Sequence, residues 1–220
     1  MKIRLYKTLK ENIGLFIFII LMSVFRSAVA DWNVVPTGSM KPTIVEGDRI
    51  LVNKMAYDIR IPFTHISLVK RADPVRGDIV VFDSRQSGKR LVKRVIGIPG
   101  DIVEMKNNVL IINGQSIAYH DVYSSGKGKD KVEDLLGIKH IVRINESDKS
   151  YFSTFKPVSV PEGHYLVLGD NRDNSADSRV IGFIPRQEIV GRSRNVVMSL
   201  DYENFYLPRS ERFFHALDAD

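Results

Sequence analysis

The chain has 220 residues, 44% hydrophobic and 26% charged, which suits one domain with a packed core and argues against disorder. It has no cysteine, so a disulfide framework, a thiolate zinc site and a cysteine nucleophile are excluded. The net charge of +6 suits an anionic membrane surface. The basic residues are dispersed among acids and form no nucleic-acid-binding pattern, so nucleic acid is not an expected partner.

Lys2, Arg4, Lys7 and Lys10 precede an uncharged apolar run from Ile13 to Phe25, followed by Arg26, Ala28-Val29-Ala30 and Trp32. A cleavable secretory signal and a membrane anchor both fit this layout. Arg26 falls where a signal's apolar region should pass smoothly into its cleavage site, which favours an anchor over about residues 12–30. Arg26 can then snorkel and Trp32 suits the headgroup belt. The positive-inside rule keeps residues 1–11 in the cytoplasm and exports 31–220.

Beyond Trp32 the pattern predicts strands. Runs at 49–54, 78–82 and 91–98 follow or precede Gly, Pro and Asp turn signals, and 102–105 with 109–112 reads as a hairpin. Further strands are expected at 164–168 and 189–200. Residues 124–150 are polar and read as loops on an inserted subdomain or hairpin, within a variable insertion over about 105–160. No internal repeat and no long helical periodicity after the anchor appear, so the fold is expected to be mainly β. His65, His120, His140, His164 and His215 are scattered without ligand spacing, and no metal or cofactor is expected.

Three segments carry candidate chemistry. Ser39 sits in Pro36-Thr37-Gly38-Ser39-Met40-Lys41-Pro42, where glycine allows close backbone approach and the prolines stiffen both flanks. Lys93 and Arg94 sit in an apolar β-run, and alternation turns them to opposite faces. A buried lysine would be a usable base near neutral pH. On the strand pattern alone, an edge strand with both charges solvated is the commoner outcome. Gly169 to Arg179 interleaves acids and arginines; it is no core strand, and reads either as a solvated loop or as a polar network that braces a site from behind.

Taken together and in this order, these segments, with Gly47-Asp48-Arg49-Ile50-Leu51-Val52 and Gly182-Phe183-Ile184-Pro185, resemble the bacterial type I signal peptidases. The resemblance implies an antiparallel β-sheet catalytic domain with an inserted smaller β subdomain, preceded by one transmembrane helix. It implies a membrane-bound serine endopeptidase that removes signal peptides from exported preproteins after Ala-x-Ala. Ser39 is then the nucleophile and Lys93 the general base. Ser175 orients the lysine, and the Ser39 N–H with the Thr37 hydroxyl forms the oxyanion hole. Asp177 with Arg179, and Asp170 with Arg94, are the supporting ion pairs, while Val35, Val92 and Met40 line the substrate pockets. The expected partners are preprotein signal peptides and membrane lipid, and no oligomeric state is implied. A specialised peptidase for pilus or conjugation substrates, and an anchored β-rich binding module, stay open. The module alone predicts that Ser39 and Lys93 lie far apart.

Overall fold

The computed structural model describes residues 10, 12–64, 66–122, 129–145 and 151–217. Most of the 1–11 segment, His65 and parts of the polar 124–150 stretch lie outside these residues. Helix α1 (Ile13–Ala28) is 16 residues long and buries none of them. It is shorter than the sequence reading of 12–30, and no helix among the described residues is long and apolar enough to cross a membrane. Its C-terminus is fixed by tertiary contacts. The Lys54 ammonium donates to the carbonyls of Arg26 and Ser27 at 2.7 and 3.4 Å, the usual role of a cation at a helix C-terminus. Arg26 turns back onto Asp31 at 2.8 Å and stacks over Trp32, so the chain leaves the helix at Val29 and enters β1 (Ala30–Val34).

β1 pairs with β2 (Asp48–Asn53), and β3 (Asp58–Arg60) with β4 (Ser67–Lys70) forms a separate two-stranded hairpin. β5 (Ile79–Ser84) and β6 (Lys89–Gly97) are paired along their length. The inserted part holds β7 (Ile102–Lys106), β8 (Val109–Ile112), β9 (Gln115–Ser116), β10 (Ala118–Asp121), β11 (Lys129–Leu135), β12 (Ile138–Ile144) and β13 (Phe155–Ser159). The polar stretch is thus largely a hairpin, β11–β12. β14 (His164–Leu168), a short helix α2 (Ser178–Ile181), β15 (Ile184–Pro185), β16 (Ile189–Asp201) and β17 (Leu207–Pro208) complete the chain.

The main sheet has eight strands in the order β1-β2-β16-β5-β6-β14-β15, with β17 on β16. A four-stranded sheet, β13-β7-β8-β9, and a three-stranded sheet, β10-β11-β12, form the smaller subdomain. β5 is buried on both faces. Ile79 and Val81 join Val35, Met40, Ile44 and Leu217 in one core, while Val80 and Phe82 join Val95, Tyr165 and Val167 in another. This follows from period-two alternation in a strand covered on both sides.

The C-terminal segment, whose placement the sequence leaves open, closes behind the Ser39 loop. Arg209 donates to Glu46 O, and Arg212 holds the Asp48 carboxylate and Thr43 O. Leu217 enters the core beside Met40.

A buried charged cluster joins the subdomain to the main domain. Arg172 donates both terminal nitrogens to Glu133, Tyr119 donates its hydroxyl to the same carboxylate, and His140 Nε2 lies 3.1 Å from it. Burial alone would raise the Glu133 pKa, but Arg172 and His140 hold it well below the usual carboxylate range. Removing one partner strands the other charge away from water. Arg172→Leu is therefore expected to cost about 3–5 kcal/mol in denaturant unfolding, and Glu133→Leu/Arg172→Leu distinctly less. Equal losses in the two variants would show that charge pairing is not what this cluster contributes.

Candidate active site

Ser39 lies in the loop between β1 and β2, and Lys93 lies on β6. Lys93 Nζ stands 2.7 Å from Ser39 Oγ and 2.9 Å from the carbonyl oxygen of Val92. The two residues are 54 positions apart in the chain, so the main sheet and the loop packed on it create the contact. A cleft of about 460 Å³ runs past them, lined by Val35, Thr37, Ser39, Met40, Val92 and Lys93 among others, with Trp32 and Val34 from β1. All the residues the resemblance assigns to nucleophile, base, hydroxyl donor and substrate pockets therefore border one space. The lining contains neither histidine nor carboxylate among the described residues. No group of three or more metal-ligating side chains occurs among them.

Of the four charged residues of β6, Lys93 and Arg94 are buried, each being 2% exposed. Their electrostatic settings are opposite. Arg94 grips Asp170 through two hydrogen bonds of 2.9 and 2.8 Å, and Thr43 Oγ1 adds a third to that carboxylate at 2.6 Å. Burial would raise the Asp170 pKa, but the guanidinium and the hydroxyl hold it low. Asp177 is likewise occupied, by Arg179 at 2.8 and 2.7 Å and by the N–H of Gly169 at 2.9 Å. Lys93 has no carboxylate of its own. Desolvation lowers its pKa to about 8; the charges of Asp177 and Asp170 act the other way, and Arg179 adds to the lowering.

Ser175 is 6% exposed and its hydroxyl is buried without a hydrogen-bond partner. Gly169 explains its closeness to the serine loop. A Cβ at that glycine would sit 2.2 Å from Ser175 Oγ and 2.4 Å from Ser39 O, so only glycine lets the two segments pack together.

The sequence reading passed over Asn171. Its backbone N–H donates to Ser39 O at 3.1 Å and its side-chain amide donates to Gly38 O at 3.0 Å. It thereby ties the Ser39 loop to the polar segment. That segment is held in turn by β12, through Arg143 N to Asp170 O and Arg172 N to Arg143 O. The only available signal was chemical. Asn171 is an amide with two donors in a segment otherwise rich in charges, and it adjoins the close-packing Gly169.

A lysine with a lowered pKa destabilises the charged folded state. The gap between its ordinary value and about 8 is equivalent to roughly 3 kcal/mol. Below pH 8 both folded and unfolded chains hold the proton and the full penalty applies. Between pH 8 and the ordinary lysine value the unfolded chain holds the proton and the folded one does not, so stability rises with pH. Lys93→Met should accordingly stabilise the protein by up to about 3 kcal/mol at pH 7, with the gain fading to nothing toward pH 10.5. Denaturant titrations across this range that show a constant difference would contradict the burial penalty.

A family model described as signal peptidase, peptidase S26, matches residues 9–198. The chain is 37% identical over 199 residues to the signal peptidase I of Pseudomonas fluorescens, covering 83% of this chain and 69% of the relative. It is 34% identical over 201 residues to the signal peptidase I P of Bacillus subtilis subsp. natto, covering 89% and 94%. A solved signal peptidase I from Enterococcus faecalis V583 shares 31% identity, covering 55% of this chain and 97% of that one, with a TM-score of 0.36.

Proposed function

The chain belongs to the signal peptidase family, peptidase S26, and is a serine endopeptidase that cleaves signal peptides; on that premise we propose that Ser39 and Lys93 form its catalytic dyad. The observation that carries the assignment is the 2.7 Å contact between Lys93 Nζ and Ser39 Oγ. In its neutral form Lys93 accepts the hydroxyl proton while Oγ attacks the scissile carbonyl, forming the C–O bond of a tetrahedral intermediate. The resulting ammonium gives that proton to the departing amine as the C–N bond breaks. Water then attacks the acyl-enzyme ester, with Lys93 again taking the proton, and Ser39 is regenerated.

Thr37 borders the same cleft and we assign its hydroxyl, with the Ser39 N–H, to the developing oxyanion. Ser175 is suited to hold Lys93 Nζ once Ser39 Oγ engages the substrate. A buried hydroxyl with no partner costs about 1–3 kcal/mol, and a bond to the ammonium removes that cost. Val35 and Met40 are buried and Val92 is half-buried at the cleft. A narrow apolar lining of this kind suits small residues on the acyl side of the cut, as in Ala-x-Ala.

The anchor reading draws support from α1. The helix carries no polar side chain from Ile13 to Met22 and buries none of its 16 residues, a surface that matches a lipid environment better than water. β1 then runs straight from the helix end into the cleft, a path of roughly 17 Å. A substrate whose apolar segment lies in the same membrane would present its cleavage site at about this height. We therefore place the catalytic domain on the exported face of the plasma membrane, with the N-terminus in the cytoplasm.

Ser39→Ala and Lys93→Ala should each abolish cleavage of a preprotein while leaving the fold intact, and Lys93→Arg should fail as well because guanidinium stays protonated. Full cleavage by purified Lys93→Ala would remove the dyad. With wild type, kcat/KM should rise about tenfold per pH unit below pH 8 and level off above it, since the lysine must be neutral and its pKa is about 8. A profile that is flat from pH 6 to 9 would exclude Lys93 as the base. Thr37→Ala should lower turnover by roughly 10²–10³-fold, with Thr37→Ser near wild type; an unchanged Thr37→Ala rate would take it out of the oxyanion hole.

A further inference from the structure

A second cavity, of about 170 Å³, lies where α1 meets the β3–β4 hairpin. Ser27 from the helix end and Phe63 from the hairpin line it, with Lys54, Arg60, Arg90 and a single acid, Asp83. Phe63 N donates to Ser27 Oγ at 2.6 Å, which fastens the hairpin to the helix. Arg90 also borders the catalytic cleft, so the two spaces adjoin.

The cavity carries more positive charge than its acids satisfy. Arg90 is paired with Asp83 at 2.7 and 2.9 Å. Lys54 bonds the Arg26 carbonyl and has Asp31 no nearer than 3.6 Å. Arg60 reaches Ile189 O and Asp58 at 2.6 and 3.0 Å, but Asp58 also receives two bonds from Arg186. The Arg60 side chain is 10% exposed, and its Nε is buried without any partner. A guanidinium donor left unsatisfied beside a space lined by two further cations is the chemistry of an anion site.

The rim is apolar. β4 is exposed along its whole length and carries Leu68 and Val69, while Phe63 and Ile66 at the hairpin tip are 70% and 59% exposed. A free anion needs no such wall, whereas a phospholipid presents an anionic headgroup next to its acyl chains. We propose that this cavity binds the phosphodiester of an anionic phospholipid, with Arg60, Lys54 and Arg90 on the phosphate oxygens and the β3–β4 hairpin against the acyl chains. The proposal rests on the membrane placement of α1. The lowered pKa of Lys54, caused by desolvation and by the neighbouring Arg90 and Arg26 charges against the opposing pull of Asp31, agrees with a positive surplus that a bound anion relieves.

The test is native mass spectrometry of the full chain in a non-ionic detergent with equimolar phosphatidylglycerol and phosphatidylcholine. Wild type should retain phosphatidylglycerol about tenfold over phosphatidylcholine, and Lys54→Gln and Arg60→Gln should each bring the ratio close to one. Soluble-peptide cleavage reports that the variants are folded, and Lys54→Gln carries the test alone if Arg60→Gln proves unstable. Equal retention of the two lipids by wild type, or unchanged preference in Lys54→Gln, overturns the proposal. Inorganic phosphate raising the melting temperature as much as the lipid does, and displacing it, would assign the cavity to a free anion and also overturn it. Flotation with pure phosphatidylcholine vesicles tests the anchor separately. Wild type that floats but shows no lipid preference sinks the cavity alone, and wild type that does not float sinks the membrane placement on which it rests.

Discussion

The bidentate ion pair between Arg94 and Asp170 is the constraint on which the rest of the site depends. A lysine can serve as a base near neutral pH only where burial outweighs attraction to carboxylates. Lys93 is buried, yet Asp170 and Asp177 are near enough to act on it. Each acid is committed elsewhere, Asp170 to Arg94 and Asp177 to Arg179. The carboxylate–guanidinium pairs are close to neutral when seen from Lys93 Nζ, so desolvation wins. The same strand supplies both the arginine that absorbs the acid and the lysine that must be spared it. A one-residue slip of β6 against β5 would exchange their positions.

The polar segment from Gly169 to Arg179 acts as a second core made of charges. Asp170, Arg172 and Asp177 are fully buried, which is tolerable because each is paired and the two carboxylates also accept from hydroxyl or backbone donors. The segment touches each of the elements that build the site. It holds the Ser39 loop through Asn171, the subdomain through Arg172 and Glu133, and β6 through Asp170. The subdomain is therefore mechanically tied to the Ser39 loop although none of its described residues lines the cleft.

Much of this was legible in the residues. Alternation and turn signals located β2, β5, β6, β7, β8, β14 and β16 to within one or two residues, because those strands are bounded by Gly, Pro, Asn or Asp and half or fully buried. The β3–β4 hairpin was not legible, since β4 is exposed throughout and shows no one-sided pattern. A hairpin was one reading of the polar stretch, but its strands were not located. Its inward residues include Asp130, Glu133 and His140, so a pattern sought in apolar side chains does not find it. The helix ended early for a tertiary reason, the capping by Lys54 from across the β1–β2 ladder. Ser39 and Lys93 stood out individually, but their meeting depended on packing across 54 residues. Only the order of the motifs, read as a family resemblance, joined them beforehand. Asn171 escaped because two of its hydrogen bonds run to backbone carbonyls, which leave no trace in residue identity.

On the proposed membrane placement, the junction between helix and domain decides how the Ser39–Lys93 pair would meet a substrate held in the membrane. A helix joined to a domain by a free linker would let the cleft swing through many orientations. Here Val29 and β1 leave no linker. Lys54 binds the last helical carbonyls, the hairpin binds Ser27, and Arg26 folds back on Asp31 and Trp32. Such contacts limit rotation about the helix end, and Trp32 is at once part of this junction and part of the cleft wall. A headgroup held between the helix end and the hairpin would brace the same junction further, so the cleft would face the emerging cleavage site with less searching. Orientation of this kind lowers the entropic part of the barrier and leaves the proposed proton transfer to Lys93, whose proton burial has made easier to lose.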